Sequence, residues 1–285
     1  MNPIPNIKRK IFTSYIDFVN RLFLKQNGKI GGVLNLQDSD IPLCFITISF
    51  NNEFLIAEQI RLMKKYIADK NYVHIVADNS TDKTKRKLIE LACRKENVYY
   101  AGLPFNLFSK ADKRPSYSHG LAMNWVYGNI IEKIKPVRFG FLDHDIFPIQ
   151  PYSVIEKLEN RDFYGELRNR TPENEKNKIW YLWSGFCFYY FEKIRSKQPD
   201  FLPCKVDNIF LDSGGRNFYS LYSACDMEKQ TFCKPVVLQN IKDGSNYHAD
   251  YIQIVDESWI HAINGSDWAK NGGKDDLLKE LLKNY

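Results

Sequence analysis

Two aspartates, two residues apart, close an apolar run in Phe139-Gly140-Phe141-Leu142-Asp143-His144-Asp145. In extended chain such residues face the same way, so Asp143 and Asp145 share one site if the strand continues. A tight turn would instead aim one at a metal and the other at a hydroxyl. Paired carboxylates suit a hard cation, Mg²⁺ or Mn²⁺, whose other ligands come from phosphates and water. A lone D-x-D recurs by chance, and turn or capping aspartates look the same. Its place at the end of a buried strand is what gives this pair weight. A second apolar run, His74-Ile75-Val76-Ala77, ends in Asp78, followed by Asn79-Ser80-Thr81-Asp82. A carboxylate at Asp78 suits the imide N–H of a uracil or a ribose hydroxyl, whereas Ser80 and Asp82 read as caps of the next helix. In Ser118-His119-Gly120-Leu121-Ala122-Met123-Asn124 the small residues at a helix start admit a ligand to the backbone, where the N-terminus favours a phosphate. Close helix–sheet packing at Gly120 and Ala122 is the competing account.

Such groups need a scaffold that gathers them. Leu43–Phe50, Tyr72–Ala77, Val98–Ala101 and Val137–Leu142 are apolar runs of strand length, and 53–69, 82–95 and 118–134 have helical periodicity. This alternation predicts an α/β fold whose mostly parallel sheet binds ligands at the carboxyl ends of its strands. Beyond residue 150 the chain is more mixed and more aromatic. Residues 163–191 pair two strand-like runs around a polar loop, 205–227 predict a turn and a helix, 235–256 short strands, and 274–284 a small amphipathic helix.

At the start of the chain Ile11, Tyr15, Phe18 and Leu22 recur at helical spacing, with Phe12, Ile16, Val19 and Phe23 beside them. The two rows predict a helix over 7–25 with one broad apolar face. Two readings stand: an interfacial helix resting on an anionic membrane, or a helix packed on the domain or on another subunit. Residues 26–40, with three glycines, read as a linker.

The net charge of +6 is mostly local, because residues 1–30 hold Lys8, Arg9, Lys10, Arg21, Lys25 and Lys29 against Asp17 alone. The rest of the chain is nearly balanced, which disfavours nucleic acid as a partner. Six cysteines form no C-x-x-C pair and read as reduced core residues. No run reaches the roughly 18 apolar residues of a transmembrane helix, and Asp17, Asn20 and Arg21 interrupt any signal-like segment. The expectation is a cytoplasmic protein, peripheral on the inner face of a membrane if residues 7–25 touch lipid.

The three groups, in this order, resemble the nucleotide-sugar half of GT-A-fold glycosyltransferases of the family-2-like group. Ile46-Thr47-Ile48-Ser49-Phe50-Asn51 is similar to that group's opening strand and its polar exit, so Ile48 and Ser49 are implied donor contacts. Ala77-Asp78-Asn79-Ser80-Thr81-Asp82 is similar to the D-D-G-S-T-D turn, with Asp78 at the base-contacting Asp and Ala77 in place of the first one. The 118–124 segment is similar to the motif that contacts base and ribose, which implies roles for Ser118, Gly120 and Asn124; members often carry Arg where Ser118 stands. Asp143-His144-Asp145 matches the D-x-D motif, implying Asp145 as direct metal ligand and Asp143 as a contact to ribose or to metal-bound water. Trp259-Ile260-His261-Ala262-Ile263-Asn264-Gly265-Ser266-Asp267-Trp268 resembles the closing H-x(n)-G-S segment, where His261 is a third ligand or a diphosphate contact.

The resemblance covers 42–150 well and 180–268 loosely. It implies a Rossmann-like GT-A single domain over 41–268, divided into a nucleotide-sugar half (41–150) and an acceptor-side half (151–268). An N-terminal helix and linker (1–40) precede it, and an amphipathic tail (269–285) follows. The implied activity is Mn²⁺- or Mg²⁺-dependent transfer from a nucleotide sugar, most simply a UDP-sugar, to a carbohydrate or lipid-linked acceptor. An inverting reaction needs a carboxylate base. Asp212, in Ile209-Phe210-Leu211-Asp212-Ser213-Gly214-Gly215, is the candidate, with Asp207 and Glu166 as alternatives and a turn-stabilising aspartate as the plainer reading. Trp180, Tyr181, Trp183 and Phe186 fall where sugar-stacking aromatics would lie, although core packing accounts for most such residues. A haloacid-dehalogenase-type phosphohydrolase also ends a strand in D-x-D, but it wants Thr or Val where Phe147 stands. A nucleotidyltransferase wants a Gly-rich loop where Ser49-Phe50-Asn51-Asn52-Glu53 stands. A binding protein that keeps the fold without turnover is the remaining alternative.

Overall fold

Runs rich in Ile, Val and Phe alternate with amphipathic helices through the first half of the chain, and each run becomes a buried strand. The computed structural model describes residues 4–31, 40–108, 114–173, 175, 177–233, 235–240, 251–263 and 274–285. In chain order they form α1 (Ile4–Leu24), β1 (Lys29–Ile30), β2 (Cys44–Ser49), α2 (Glu53–Tyr66), β3 (Val73–Asp78), α3 (Lys83–Lys95) and β4 (Tyr99–Gly102). Next come α4 (Pro115–Val126), a π-helical turn (Tyr127–Ile131), α5 (Glu132–Ile134), β5 (Arg138–Asp143), β6 (Ile146–Pro148) and α6 (Val154–Leu158). The second half holds β7 (Phe163–Asn169), β8 (Trp180–Tyr190), α7 (Phe191–Arg195), β9 (Cys204–Val206), β10 (Ile209–Leu211), β11 (Pro235–Asn240), β12 (Tyr251–Val255), β13 (Trp259–Ala262) and α8 (Lys274–Leu282).

The main sheet has seven strands in the order β1-β4-β3-β2-β5-β8-β7. Its centre, β4-β3-β2-β5, is parallel. The strands β1, β8 and β7 run antiparallel to their neighbours at the two sides. The α/β architecture around a mostly parallel sheet is therefore present, with the N-terminal amphipathic helix beside it. Register aligns Ser49 with Asp78 and Ile48 with Asp143, so the carboxyl ends of three strands form one edge. In a second, four-stranded antiparallel sheet, β11-β12-β13-β6, strand β6 is separated from β5 by two residues.

The two rows of α1 separate. Ile16, Val19 and Phe23 are buried in the main core against α4, whereas Ile11, Tyr15, Phe18 and Leu22 are exposed. The linker expected over 26–40 contains the edge strand β1, and residues 32–39 lie outside the described part. Gly28 is required there, since a Cβ would sit 2.7 Å from the Trp125 ring. The tail helix α8 docks Leu278 and Leu282 beside Leu55 and Leu62 of α2. Among the described residues no helix is long and apolar enough to cross a membrane.

Two expectations need correction. The turn and helix expected over 205–227 are instead the β9–β10 hairpin, a loop, one π-helical turn (Phe218–Tyr222) and one 3₁₀ turn (Met227–Lys229). Asp207 and Asn208, with φ of 48° and 68°, make its two-residue reversal, the conformation that Asp and Asn tolerate best. Helix α4 also starts three residues earlier than its periodicity suggests, because Pro115 takes the first helical position, where a missing N–H costs nothing.

Candidate functional site

Asp143 is the last residue of β5, and the chain turns at once into β6. Both ends of that turn are held from α2. The Gln59 amide donates to Asp143 O (2.8 Å) and to Ile146 O (2.7 Å). Its own Oε1 accepts from Thr47 Oγ1 (2.6 Å), which leaves Thr47 to accept from His74 Nε2 (2.9 Å). All three side chains are buried, and burial, with Lys64 nearby, lowers the His74 pKa to about 3, so the ring is neutral. The sequence offered one signal for this brace: Gln59 interrupts the apolar face Leu55, Ile56, Ile60, Leu62, Met63 of α2.

Strand β13 pairs with β6 so that His261 lies opposite Ile146, and Ala262 N donates to Asp145 O (2.9 Å). This brings His261 Nε2 to 3.7 Å from Asp145 Oδ1. Gln253 directs its amide nitrogen at Glu166 Oε2 (3.4 Å) and therefore its oxygen at His261 Nδ1 (3.0 Å). Nδ1 thus carries the proton, and Nε2 presents a lone pair to Asp145. Burial, reinforced by Arg168 and His144, holds the His261 pKa down to about 3, so the ring gains no second proton near neutrality. Two acceptors facing each other, one nitrogen and one oxygen, want a cation between them. Beside them the His144 Nδ1 donates to Ile48 O (3.3 Å), and its buried Nε2 has no hydrogen-bond partner among the described residues.

Asp143 takes a different direction. Its Oδ1 lies 3.3 Å from His119 Nε2, His119 Nδ1 meets Ser213 Oγ (3.3 Å), and Ser213 N donates to Asp212 Oδ1 (2.7 Å). A polar line thus connects Asp143 to Asp212, which is exposed. On the opposite side β8 carries three extra residues between its pairings to Gly165 and Leu167 of β7. That bulge presents Trp183, half-buried, against the His261 ring (centroids 4.5 Å apart), with the Arg168 guanidinium 5.1 Å from the Trp183 centroid. Glu166 sits opposite the bulge, fully buried, paired with Arg168 at 2.7 Å. Burial outweighs Arg168 and raises its pKa to about 7. Trp180, Tyr181 and Phe186 are core residues.

The structure therefore gathers Asp143, Asp145, His261, Trp183 and Asp212, with Glu166 behind them. The other expected contacts have partners within the fold. Asp78 is wholly buried, accepting from Ser49 Oγ, Ser80 N and Tyr100 OH with Arg86 Nε 3.5 Å away, so its carboxylate and Ser49 are engaged with each other. Ile48 offers its carbonyl to His144. Ser80 caps nothing; it accepts from Asn51 N (2.8 Å), while Asp82 does cap α3. Ser118 is buried among Asn79 and Asn106. Asn124 bonds Asp200 and Phe201 N. Gly120 lies against the Phe201 carbonyl, 2.6 Å from where a Cβ would be, which is close packing. Asp207 belongs to the hairpin reversal. Asn264–Trp268 of the closing segment lie outside the described residues.

Among the described residues no three His, Cys, Asp or Glu side chains are grouped to hold a metal. The Asp145–His261 pair fits a Mg²⁺ or Mn²⁺ ion that takes its remaining ligands from phosphate and water. A surface cavity of about 340 Å³ lies away from this pair, at the β4 edge between Lys29, Lys83, Arg86, Lys87 and Glu90, where Lys29 is already paired with Glu90.

No family model matches the chain, and a search of curated proteins finds no match. Among solved structures it is similar to S. aureus TarS, at 15% identity and a TM-score of 0.38 over 56% of this chain and 30% of that one. It is also similar to the bifunctional glycosyltransferase WbbM in its apo form, at 15% identity and a TM-score of 0.35 over 56% of this chain and 33% of that one. The chain spans about a third of the length of these two proteins.

Proposed function

We propose that the chain is a glycosyltransferase that moves a sugar from a nucleoside-diphosphate sugar, a UDP-sugar, to a hydroxyl of a carbohydrate or lipid-linked acceptor. The observation that carries this reading is the Asp145–His261 pair of facing acceptors at the carboxyl edge of a parallel sheet. Asp145 and His261 hold Mn²⁺ or Mg²⁺, which when bound supplies charge neutralisation on the leaving diphosphate. Asp143, with His119 Nε2 3.3 Å from its Oδ1, accepts from a ribose hydroxyl. Trp183, half-buried beside His261 and Arg168, packs against a sugar ring, since flat aromatic surfaces cover the apolar faces of sugars. Asp212 takes the proton of the acceptor hydroxyl, its Oδ1 held toward the site by Ser213. Asp78, enclosed by its own partners, braces the edge against which the base lies and does not read it.

The test is thermal stability against a panel of nucleoside diphosphates and nucleotide sugars, with Mn²⁺ and with chelator. One nucleotide should raise the melting temperature only with metal, and a ligand at about 100 times its Kd adds about 2.7 kcal/mol. Asp145→Ala should abolish that shift while the unliganded protein melts cooperatively. Normal turnover by Asp145→Ala would remove the metal assignment, and no shift with any nucleotide would remove the donor site.

A further inference from the structure

One face of α1 has no role in the core or in the donor site. Ile16, Val19 and Phe23 fill the core, but Ile11 (65% exposed), Tyr15 (47%), Phe18 (52%) and Leu22 (46%) form a row about 100° round the helix from them. The row continues onto the loop after β4. There Asn106 and Phe108 point inward, and Phe105 (54%) and Leu107 (56%) point out. Phe108 packs edge-on against Tyr15, with centroids 6.4 Å apart, so the loop and the helix share one surface. Exposed Lys10, Arg21 and Lys25 run along the helix beside the row. The helix's single acid, Asp17, is paired with Arg216 (2.6 Å), and among the described residues no carboxylate forms an ion pair with Lys10, Arg21 or Lys25.

We infer that this surface rests on an anionic lipid bilayer, with Ile11, Tyr15, Phe18, Leu22, Phe105 and Leu107 in the interface and Lys10, Arg21 and Lys25 against the headgroups. Aromatic and aliphatic side chains beside a basic flank are what an in-plane helix needs. The four-three-four spacing of the row would also suit pairing with a second α1. That pairing sets the cations of both copies side by side with Asp17 already neutralised, and the charge therefore favours the anionic surface. The loop joins the row to the donor half, since Asn106 between its two outward residues bonds Ser118 at the start of α4.

The test is sedimentation of the full chain with phosphatidylcholine vesicles and with the same vesicles containing phosphatidylglycerol, beside light scattering of the protein alone. Binding to the anionic vesicles should be at least tenfold stronger. Tyr15→Ser with Phe18→Ser should weaken it at least tenfold, and Arg21→Glu with Lys25→Glu more than twentyfold, at about fivefold for each cation near the surface. All four positions are exposed, so an unchanged melting temperature shows that the variants fold. Equal binding to neutral and anionic vesicles, no binding to either, or binding indifferent to the substitutions overturns the proposal. So does a dimer in solution that Phe18→Ser splits, which would give the row to a second copy.

Discussion

His119 stands between Asp143 and Ser213, and the polar line it completes ends at Asp212. Asp212 is exposed and held by a neighbouring serine, which gives it the accessibility that a base for an acceptor hydroxyl needs. Asp212→Asn should therefore lower kcat by about 10²- to 10⁴-fold and leave the KM for the donor within a few-fold, as steady-state kinetics would read. A rise in donor KM with kcat unchanged would make Asp212 a binding residue. Asp143, Asp145 and His261 were legible in the sequence because each ends or lines an apolar run. The true partners of Asp78, Gly120 and Asn124 were not: Tyr100, Phe201 and Asp200 arrive from 22 to 81 residues away. Motif position alone does not distinguish a carboxylate that faces a ligand from one enclosed by its own fold.

Helix α2 bears on the site without entering it. Gln59 spans the β5–β6 turn, and replacing it with Leu leaves the Asp143 and Ile146 carbonyls without this donor. At about 1–3 kcal/mol for an unsatisfied buried group, Gln59→Leu should lower stability in urea denaturation and raise the Mn²⁺ concentration needed for half-maximal activity. A variant as stable and as readily saturated as the parent would show that the turn holds itself. The strands β2 to β5 and their helices were legible because period-two and period-3.6 patterns are local. The pairing of β6 with β13 and the bulge in β8 were not. Both are set by contacts across more than a hundred residues or by register, and together they bring His261, Gln253, Glu166 and Trp183 to the site. The β9–β10 hairpin was hidden for another reason, since its signal is only the pair Asp207-Asn208.

The molecule carries buried neutral imidazoles, and each of them favours the unfolded chain as pH falls. The His74 pKa is near 3 when folded and about 6.5 when unfolded, so below pH 6.5 the unfolded chain binds the extra proton. Its contribution is complete above pH 6.5 and is lost as pH falls toward 3, by about 1.4 kcal/mol per pH unit. His74→Gln should flatten the dependence of unfolding free energy on pH between 6.5 and 4.5 by that amount, measured by urea denaturation. Equal slopes in parent and variant would refute a neutral His74. At the same scale α1 serves two masters. Its inner row is core, tied down further by Asp17, Arg216 and Asp200. Anyone wishing to handle this protein in plain buffer would be tempted to trim the helix away. Trimming would strip out Ile16, Val19 and Phe23, each contributing about 1.5–3 kcal/mol of burial, from a fold whose whole stability is about 5–15 kcal/mol. Repainting Ile11, Tyr15, Phe18 and Leu22 with polar residues changes the exposed row and leaves Ile16, Val19 and Phe23 in the core.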